Sequence, residues 1–498
     1  MSAASRIFPI HHPALKTRSE LSSRFSSSGI QTIMDLEKIP GEKESASYSI
    51  EEIDPEAEKR LVRRLDRRIV PSSMIIYLLC FLDRSNIGNA KVLNSDTGDS
   101  LQQTTRTSNA DFNTALMVFL VAYVIFETPS NYMLKKFRPS RWIALLMLGW
   151  GAMTLCLGTV HTFAQLTAIR FLLGMFEAGL FPGLVYFLTF WYKPNERAVR
   201  VALILACATL AGAFGGAIAF GVGKMNGVHG LQAWRWLFLI EGAPSCACAF
   251  LVFFLFPDYP ETAHWLNPEE KEVAVGRLKG VASLGHDKVT WQQAKETLTD
   301  WRLYVHYMVY VCISVPFSSI SLFTPTIVSG LGYRGLDAQL FTVPPYAVAF
   351  VITVLVSWLS DRYEARSIGS AASLFIAGVC FVVEGALEPR EFKARYGVLC
   401  VAVSFSFASI PPLLSWLTAN LKTTAATTLA VPMNVSFGGV GQIIGVYIYK
   451  ANESPGYPTG HFTNAGFALF GSLLAVGLRV MYQRWNERLA IEERRWRL

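Results

Sequence analysis

Charged residues are scarce in this sequence, since Asp, Glu, Lys and Arg make up only 16% of its 498 residues. Soluble globular domains carry about 25%, so the composition excludes an ordinary soluble fold. Hydrophobic residues make up 52% of the chain. They form runs of about 20 residues, the length that crosses a bilayer core of roughly 30 Å. The sequence therefore predicts an all-α integral membrane protein.

Patterns of known catalytic and metal sites are also missing. No HExxH, GxSxG or Walker A pattern lies where a membrane edge would expose it. The eight cysteines all fall inside apolar runs, with no CxxC spacing and no nearby histidine pair. This pattern predicts small buried side chains, not disulfides or metal ligands. We expect no enzyme activity, no catalytic residue, no cofactor and no metal, and a membrane enzyme or nutrient sensor is the least favoured class.

Twelve apolar stretches bounded by turn residues or charges are predicted to span the membrane. We number them spans 1 to 12, and they cover about residues 70–90, 114–134, 142–161, 163–189, 199–222, 234–256, 304–327, 341–359, 368–386, 396–416, 424–448 and 463–482. The chain is predicted to divide into a disordered cytosolic tail, a first six-helix half, a cytosolic linker, a second six-helix half and a cytosolic tail. Their bounds are 1–68, 69–256, 257–303, 304–482 and 483–498.

The net charge of +8 comes from basic residues in short loops and at both ends, not on one amphipathic face. That distribution argues against a nucleic-acid partner. Basic loops at 135–141, 193–200 and 361–366 lie on the side of the termini, which predicts that both termini are cytosolic. We expect a multi-pass monomer in the lipid bilayer of the plasma membrane, with the vacuolar membrane left open.

Ionisable residues inside the spans are concentrated in the first half. Each costs about 3 kcal/mol to insert, so each is a candidate for function. Those that we select are Asp83 and Arg84 in span 1, Glu127 in span 2, Arg170 and Glu177 in span 4, and Glu241 in span 6. Counting from the span boundaries at ~1.5 Å per residue places Asp83, Arg84 and Arg170 at one depth, and Glu127 and Glu177 about 10 Å from the cytosolic side.

These acids and arginines can support proton coupling. An acid near a positive charge holds its proton weakly, and one left in an apolar site holds it strongly. A change of conformation can therefore load and release a proton. The alternative is that the ion pairs only hold helices together, and the sequence leaves both readings open.

Aromatic and hydrogen-bonding residues of the second half are the candidates for a substrate pocket. An amphipathic organic substrate needs an apolar wall with a few polar groups, although packing is the alternative role for each residue. The selected residues are Phe317, Tyr346, Trp416, Asn420 and Asn434. Small-residue runs at 211–223 and 438–445 are predicted to let helices approach closely. Asn452 begins an Asn-Glu-Ser glycosylation acceptor in a predicted outer loop.

Several motifs resemble those of the fungal allantoate permease group, in the anion:cation symporter branch of the major facilitator superfamily. They are FLDRSNIGNAKV (81–92), RFLLGMFEAGLFPG (170–183), WRWLFLIEG (234–242), FPDYPETAHWL (256–266), TDWRLY (299–304), VPPYAVAF (343–350) and SPGYPTGH (454–461). The resemblance implies a fungal source and the twelve-helix facilitator fold. It also implies proton-coupled uptake of small organic anions and vitamins such as allantoate, nicotinate, pantothenate or biotin.

The resemblance also carries over to particular residues. Asp83, Arg84, Ser85 and Asn86 match the signature of span 1, and Arg170 and Gly174 match that of span 4. Asp361, Arg362 and Arg366 match a cytosolic gate motif, while Lys135 stands where the first-half copy of that motif has an aspartate. We therefore expect a secondary active symporter whose partners are protons and a small organic anion. An exporter of a fungal metabolite is the alternative.

Overall fold

The computed structural model describes residues 54–278, 291–333, 336–421, 424–488 and 496–497, and their regular structure is helical. The helices are α1 (Pro55–Val92), α2 (Leu101–Thr105), α3 (Asn109–Lys136), α4 (Pro139–Leu157), α5 (Phe163–Glu177), α6 (Leu180–Leu188), α7 (Pro194–Gly223), α8 (Ala233–Leu255), α9 (Pro268–Gly276), α10 (Trp291–Thr299), α11 (Trp301–Gly330), α12 (Leu336–Leu340), α13 (Val343–Arg362), α14 (Arg366–Ala386), α15 (Phe392–Ala408), α16 (Ile410–Ala419), α17 (Thr424–Tyr447) and α18 (Pro458–Arg488). Short 3-10 turns cover Val228–Gly230, Pro260–Thr262 and Ala451–Glu453.

Eleven helical segments of the described residues are long and apolar enough to cross a membrane, and they correspond to spans 2 to 12. Span 1 lies within α1, which is 38 residues long. Its C-terminal part carries Asp83, Arg84 and Lys91, so its mean hydropathy is lower than that of the others. The expectation of an all-α membrane protein is confirmed.

Three of the spans are each built from two helices. Span 4 is interrupted between α5 and α6, immediately after Glu177, where Gly179 precedes α6. Span 10 is interrupted at Ser409, and Pro411 lies in the first turn of α16, where its missing N–H leaves no hydrogen bond unmade. Span 8 consists of α12 and α13. The break in span 4 places the carboxylate of Glu177 at a helix end inside the bundle.

The prediction of disorder in the N-terminal tail is wrong for residues 55–68, because these residues form the first turns of α1. Asp54 caps this helix by accepting hydrogen bonds from the backbone N–H groups of Glu56 and Ala57. The many charges made the segment resemble a solvated tail, yet Leu61 and Leu65 recur at helical spacing and are buried. Residues 1–53 lie outside the described part of the chain.

Ion pairs fix this part of α1 to its neighbours. Arg200 of α7 donates two hydrogen bonds of 2.7 Å to the Asp66 carboxylate. Arg64 donates bonds of 2.7 and 2.8 Å to Glu270 of α9, a helix in the predicted linker. Basic residues at this end of the bundle therefore join the linker to the first half.

Close approach of helices depends on glycines, as the two small-residue runs predicted. A Cβ atom on Gly441 would lie 2.3 Å from the carbonyl oxygen of Val311, which brings α17 against α11. Gly216 of α7 would meet the carbonyl oxygen of Gln339 at 2.8 Å, and Gln339 belongs to the other half. The two halves are thus in contact along α7 with α12 and α13, and also along α3 with α17.

Gly174→Ala is expected to destabilise the protein, because its Cβ would lie 2.3 Å from the carbonyl oxygen of Phe119 in α3. Overpacking of this kind costs about 1–3 kcal/mol. Gly477→Ala is the matched control, since the space around Gly477 is open within 4 Å. Thermal unfolding in detergent should show a lower midpoint for Gly174→Ala only. Equal midpoints for the two variants would contradict the close contact.

Candidate functional site

A narrow cavity lies between the two halves, among the helices that are long and apolar enough to cross a membrane. Arg84, Arg170 and Phe119 line it from the first half, and Phe317 and Gln442 from the second. Of the described residues that line it, these two arginines are the ionisable ones. Its volume is about 20 Å³, little more than the roughly 15 Å³ that one water molecule needs. An organic substrate can therefore enter only when the halves move apart.

Arg84 forms a buried ion pair with Glu177. Its Nε donates a hydrogen bond of 2.8 Å to Glu177 Oε2, and the two side chains are 15% and 0% exposed. The guanidinium also stacks over the rings of Tyr123 at 4.6 Å and Phe119 at 5.4 Å. Counting residues from the span boundaries placed Arg84 and Glu177 at different depths, because such a count follows the backbone. The long arginine side chain spans the difference in depth.

Arg170 shares the cavity with Arg84 but lacks comparable partners. Its side chain is buried, and Nε and Nη2 have no hydrogen-bond partner among the described residues. The guanidinium lies 5.6 Å from the centre of the Phe119 ring. Burying an unpaired charge is costly, so this site combines a positive charge with unused hydrogen-bond donors.

Asp83 faces away from the cavity, toward α8. Its Oδ2 accepts a hydrogen bond of 2.5 Å from Ser245 Oγ. Glu241 lies on the same helix as Ser245, close to Asn86 of α1. Both carboxylate oxygens of Glu241 and both polar atoms of Asn86 are buried and unpaired within the described structure. This arrangement forms a polar layer inside the first half, behind the cavity.

Glu127 lies at the contact between the halves. Its Oε2 accepts a hydrogen bond of 3.0 Å from Ser436 Oγ of α17, while Oε1 is buried with no partner among the residues described. Because Ser436 belongs to the second half, any separation of α3 from α17 breaks this bond. The sequence identified Glu127 but not its partner, since a serine in an apolar helix carries no distinguishing signal.

The predicted pocket residues of the second half fall into two groups, and the first lies at or near the cavity. Phe317 lines it and packs against Phe81 of the first half, with ring centres 5.8 Å apart. Tyr346 lies against Gly212 of α7 and donates a hydrogen bond of 3.2 Å to the carbonyl oxygen of Ile320. Asn434 belongs to neither group: it is not among the lining residues, and both of its polar atoms are buried without a partner in the described part of the chain.

The second group, Trp416 and Asn420, lies at the end of the bundle that carries the C-terminus. Trp416 Nε1 donates a hydrogen bond of 2.9 Å to the carbonyl oxygen of Arg497. The Asn420 side chain accepts a bond from the backbone N–H of Arg497 and donates one to its carbonyl oxygen. These contacts bind the chain terminus and place neither residue at the cavity.

The gate residues lie at the turn between α13 and α14. Arg366 Nε donates a hydrogen bond of 2.8 Å to Asp361 Oδ1, and Arg362 is exposed. In the first half, Asp258 after α8 accepts a hydrogen bond of 2.8 Å from the backbone N–H of Ser140 at the start of α4. A carboxylate from another part of the chain thus lies at the start of α4, close in sequence to Lys135, which replaces the aspartate of the motif at the end of α3.

A buried polar network in the second half was missed by the sequence reading. Arg395 donates hydrogen bonds to Glu384 at 3.2 Å and to the carbonyl oxygen of Gly456 at 2.7 Å. His461 lies within 3.5 Å of the same guanidinium. The span predicted over residues 396–416 begins one residue after Arg395. Helix α15 begins at Phe392 and places the side chain inside the bundle.

Two further features concern modification and metals. Asn452 is exposed in the turn Ala451–Glu453, so its amide is accessible to a modifying enzyme. Among the described residues, no group of three or more His, Cys, Asp or Glu side chains could hold a metal ion.

Comparison with known proteins gives consistent matches across the chain. The family model of the Major Facilitator Superfamily matches residues 73–446. The MFS transporter prlL of a fungal species (strain NRRL 50135) is 54% identical over 467 residues, covering 93% of this chain and 94% of its own. The MFS-type transporter cnsO of Penicillium expansum is 33% identical over 428 residues, covering 84% of this chain and 82% of its own.

A solved structure matches the fold. It is a bacterial homolog to the human lysosomal transporter Spinster, in an inward-facing and unoccupied conformation. Its TM-score is 0.63 at 15% sequence identity, with 88% of this chain and 100% of that chain covered. At this identity the likeness concerns the fold alone.

Proposed function

Because this chain belongs to the Major Facilitator Superfamily, and is therefore a transporter of small molecules, we propose that it takes up a small organic anion together with a proton. The observation that carries this proposal is the pair of guanidinium groups, Arg84 and Arg170, in a cavity between the halves. Glu177 neutralises Arg84, which leaves the charge of Arg170 for a carboxylate of the substrate. An arginine binds a carboxylate through two parallel hydrogen bonds.

The walls of the cavity suit an organic anion of modest size. Phe81, Phe119 and Phe317 supply apolar contacts, and Ser318 and Gln442 supply hydrogen-bonding groups. Sites for small organic ligands combine an apolar lining with a few polar groups in this way. Transport then follows from rocking of the halves about the cavity, which exposes it to each side of the membrane in turn.

We place the transported proton on Glu127. This carboxylate bridges the halves through Ser436, whereas Asp83 and Glu241 contact other helices of the first half. Separation of the halves removes the serine and admits water to Glu127, so its affinity for a proton must change with conformation. Binding of the anion at Arg170 and of the proton at Glu127 then depends on the same movement of the halves. The polar layer formed by Asp83, Asn86 and Glu241 holds α1 against α8 during this movement.

The substrate class is tested by uptake in yeast that expresses the full chain. Accumulation of labelled nicotinate, pantothenate, biotin, allantoate and small dicarboxylates is measured with and without a protonophore. We expect protonophore-sensitive uptake of one of these acids. Uptake that a protonophore does not affect would contradict symport. Release of a metabolite to the medium, with no uptake by cells that carry the protein at their surface, would select the export alternative.

Glu127→Gln is expected to abolish accumulation against a gradient and to preserve exchange of labelled for unlabelled substrate. The amide keeps an oxygen that can accept the Ser436 bond but cannot carry the proton. Ser436→Ala is the matched control, because it removes the same hydrogen bond and leaves the carboxylate in place. We expect this control to keep protonophore-sensitive accumulation. If Glu127→Gln still accumulates substrate, the proton is carried elsewhere.

The remaining expectations concern topology. We propose the plasma membrane with both termini cytosolic, as the basic loops indicate. Asp361, Arg362 and Arg366 then form a gate on the cytosolic side, and Asn452 is an outer glycosylation site. A glycosidase-sensitive shift in gel mobility, lost in Asn452→Gln, would support this orientation.

A further inference from the structure

A second cavity opens at the end of the first half from which α1 begins. It has a volume of about 450 Å³. Arg68 of α1, Arg138 and Arg141 at the start of α4, and residues after the end of α8 line it. It is remote from the cavity between the halves and shares no lining residue with it. In the proposed topology it lies at the cytosolic surface of the bilayer.

The charge of this cavity is not balanced by the protein. None of Arg68, Arg138 and Arg141 forms an ion pair with a carboxylate in the described part of the chain. The neighbouring Arg64, Arg200 and Arg277 at the same end all form such pairs. His264 contributes an imidazole to the lining. The three unpaired arginines therefore leave a local excess of positive charge.

One carboxylate, Asp258, also lies in the lining. Its Oδ1 accepts the 2.8 Å hydrogen bond from the backbone N–H of Ser140. Arg68 stacks over the Trp265 ring at 5.2 Å from its centre, which leaves its guanidinium edge available. Arginine edges form paired hydrogen bonds with phosphate oxygens. The donor set therefore fits a ligand that carries several phosphate oxygens.

The apolar side of the cavity indicates where that ligand comes from. Phe253, Phe254 and Leu255 form part of the lining, and their exposed fractions are 46%, 77% and 61%. They lie at the end of a membrane-spanning helix, where exposed aromatic and aliphatic side chains contact acyl chains. A ligand that meets both arginines and these residues needs a charged head and an apolar tail.

We propose that this cavity binds the phosphorylated headgroup of a phosphoinositide from the cytosolic leaflet. Basic pockets beside membrane helices on the cytosolic side bind such headgroups. The phosphomonoester of the lipid lies among Arg68, Arg138 and Arg141, and its acyl chains run along Phe254 and Leu255. Lipid binding at this cavity does not involve the transported substrate. The proposal can therefore be tested independently of the proposed function.

The test uses the purified full chain in nanodiscs of phosphatidylcholine that contain phosphatidylinositol 4-phosphate, with retained lipid counted by native mass spectrometry. Arg138→Gln with Arg141→Gln is expected to lower phosphoinositide retention about tenfold. Arg63→Gln with Arg67→Gln is the control. It removes the same charge from exposed positions of α1 at the same end of the bundle, outside the cavity lining. Retention in this control should change less than about twofold.

Three results would overturn the proposal. Equal loss in the two double variants would show attraction to surface charge in general. Equal retention of phosphatidylserine would show that the phosphomonoester is not recognised. Displacement of the lipid by an equal concentration of free inositol 1,4-bisphosphate would identify a soluble phosphate compound as the ligand. Thermal unfolding of each variant, expected to match the wild type, verifies that the protein remains folded.

Discussion

Arg170→Met is expected to abolish uptake while leaving the protein at least as stable as the wild type. The guanidinium is buried, and its Nε and Nη2 atoms have no hydrogen-bond partner within the described structure. Replacing buried ionic groups by apolar side chains of similar volume is often neutral or stabilising by about 1–4 kcal/mol. The anion loses its proposed partner, so uptake should fall at least about 100-fold, as when a charged hydrogen-bond partner is removed.

Arg395→Met provides the matched control. Arg395 is also a fully buried arginine within a span, but it donates hydrogen bonds to Glu384 and to two backbone carbonyl oxygens. Its removal leaves the Glu384 carboxylate buried and unpaired, which costs about 3–5 kcal/mol. Arg395→Met should therefore lower the unfolding midpoint, whereas Arg170→Met should not.

The comparison is made by thermal unfolding in detergent and by labelled uptake at equal surface expression. Arg170→Lys keeps the charge but loses the planar pair of donors, so we expect partial uptake that is lower than that of the wild type. A lower midpoint in Arg170→Met would show that this arginine is structural. Normal uptake in that variant would remove it from the substrate site.

The chemistry of the first half could be read from its sequence because ionisable residues are rare inside membrane spans. Asp83, Arg84, Arg170 and Glu177 were identified for this reason, and the structure brings Arg84 against Glu177 and beside Arg170. The partners of Asp83 and Glu127 were not predictable. Both are serines, which are common in membrane helices, and their contacts depend on packing between distant segments.

The second half was harder to read because its aromatic residues serve several purposes. Trp416 and Phe317 are equally apolar in sequence, yet one holds the backbone of Arg497 and the other lines the cavity. The predicted span boundaries also determine which residues are placed inside the membrane. Arg395 lies one residue before the predicted start of span 10 and is therefore outside that span. Residues 55–68 fall in the predicted tail because the ion pairs that hold them to α7 and α9 join segments far apart in the sequence.

Breaking the Arg84–Glu177 pair is expected to have the largest effect on stability within the candidate site. Arg84→Met leaves the fully buried Glu177 carboxylate without its partner, and the cost is about 3–5 kcal/mol. Glu177→Met leaves a guanidinium that keeps its contacts with Tyr123 and Phe119 and is 15% exposed at the cavity, so its cost should be smaller. The double variant removes both charges and should recover most of the lost stability.

The same three variants distinguish a role of the ion pair in transport from a role in helix packing alone. If the pair only holds α1 against α5, the double variant, once its stability is restored, should transport normally. If Arg84 also serves the substrate cavity, transport should be lost in the two variants that lack this arginine, although the double variant is folded. We expect the second result, because Arg84 lines the cavity while it binds Glu177. Unfolding midpoints and uptake are measured on the same membranes for all variants, which gives the double-mutant cycle directly. Full uptake in the double variant would show that the pair serves packing alone.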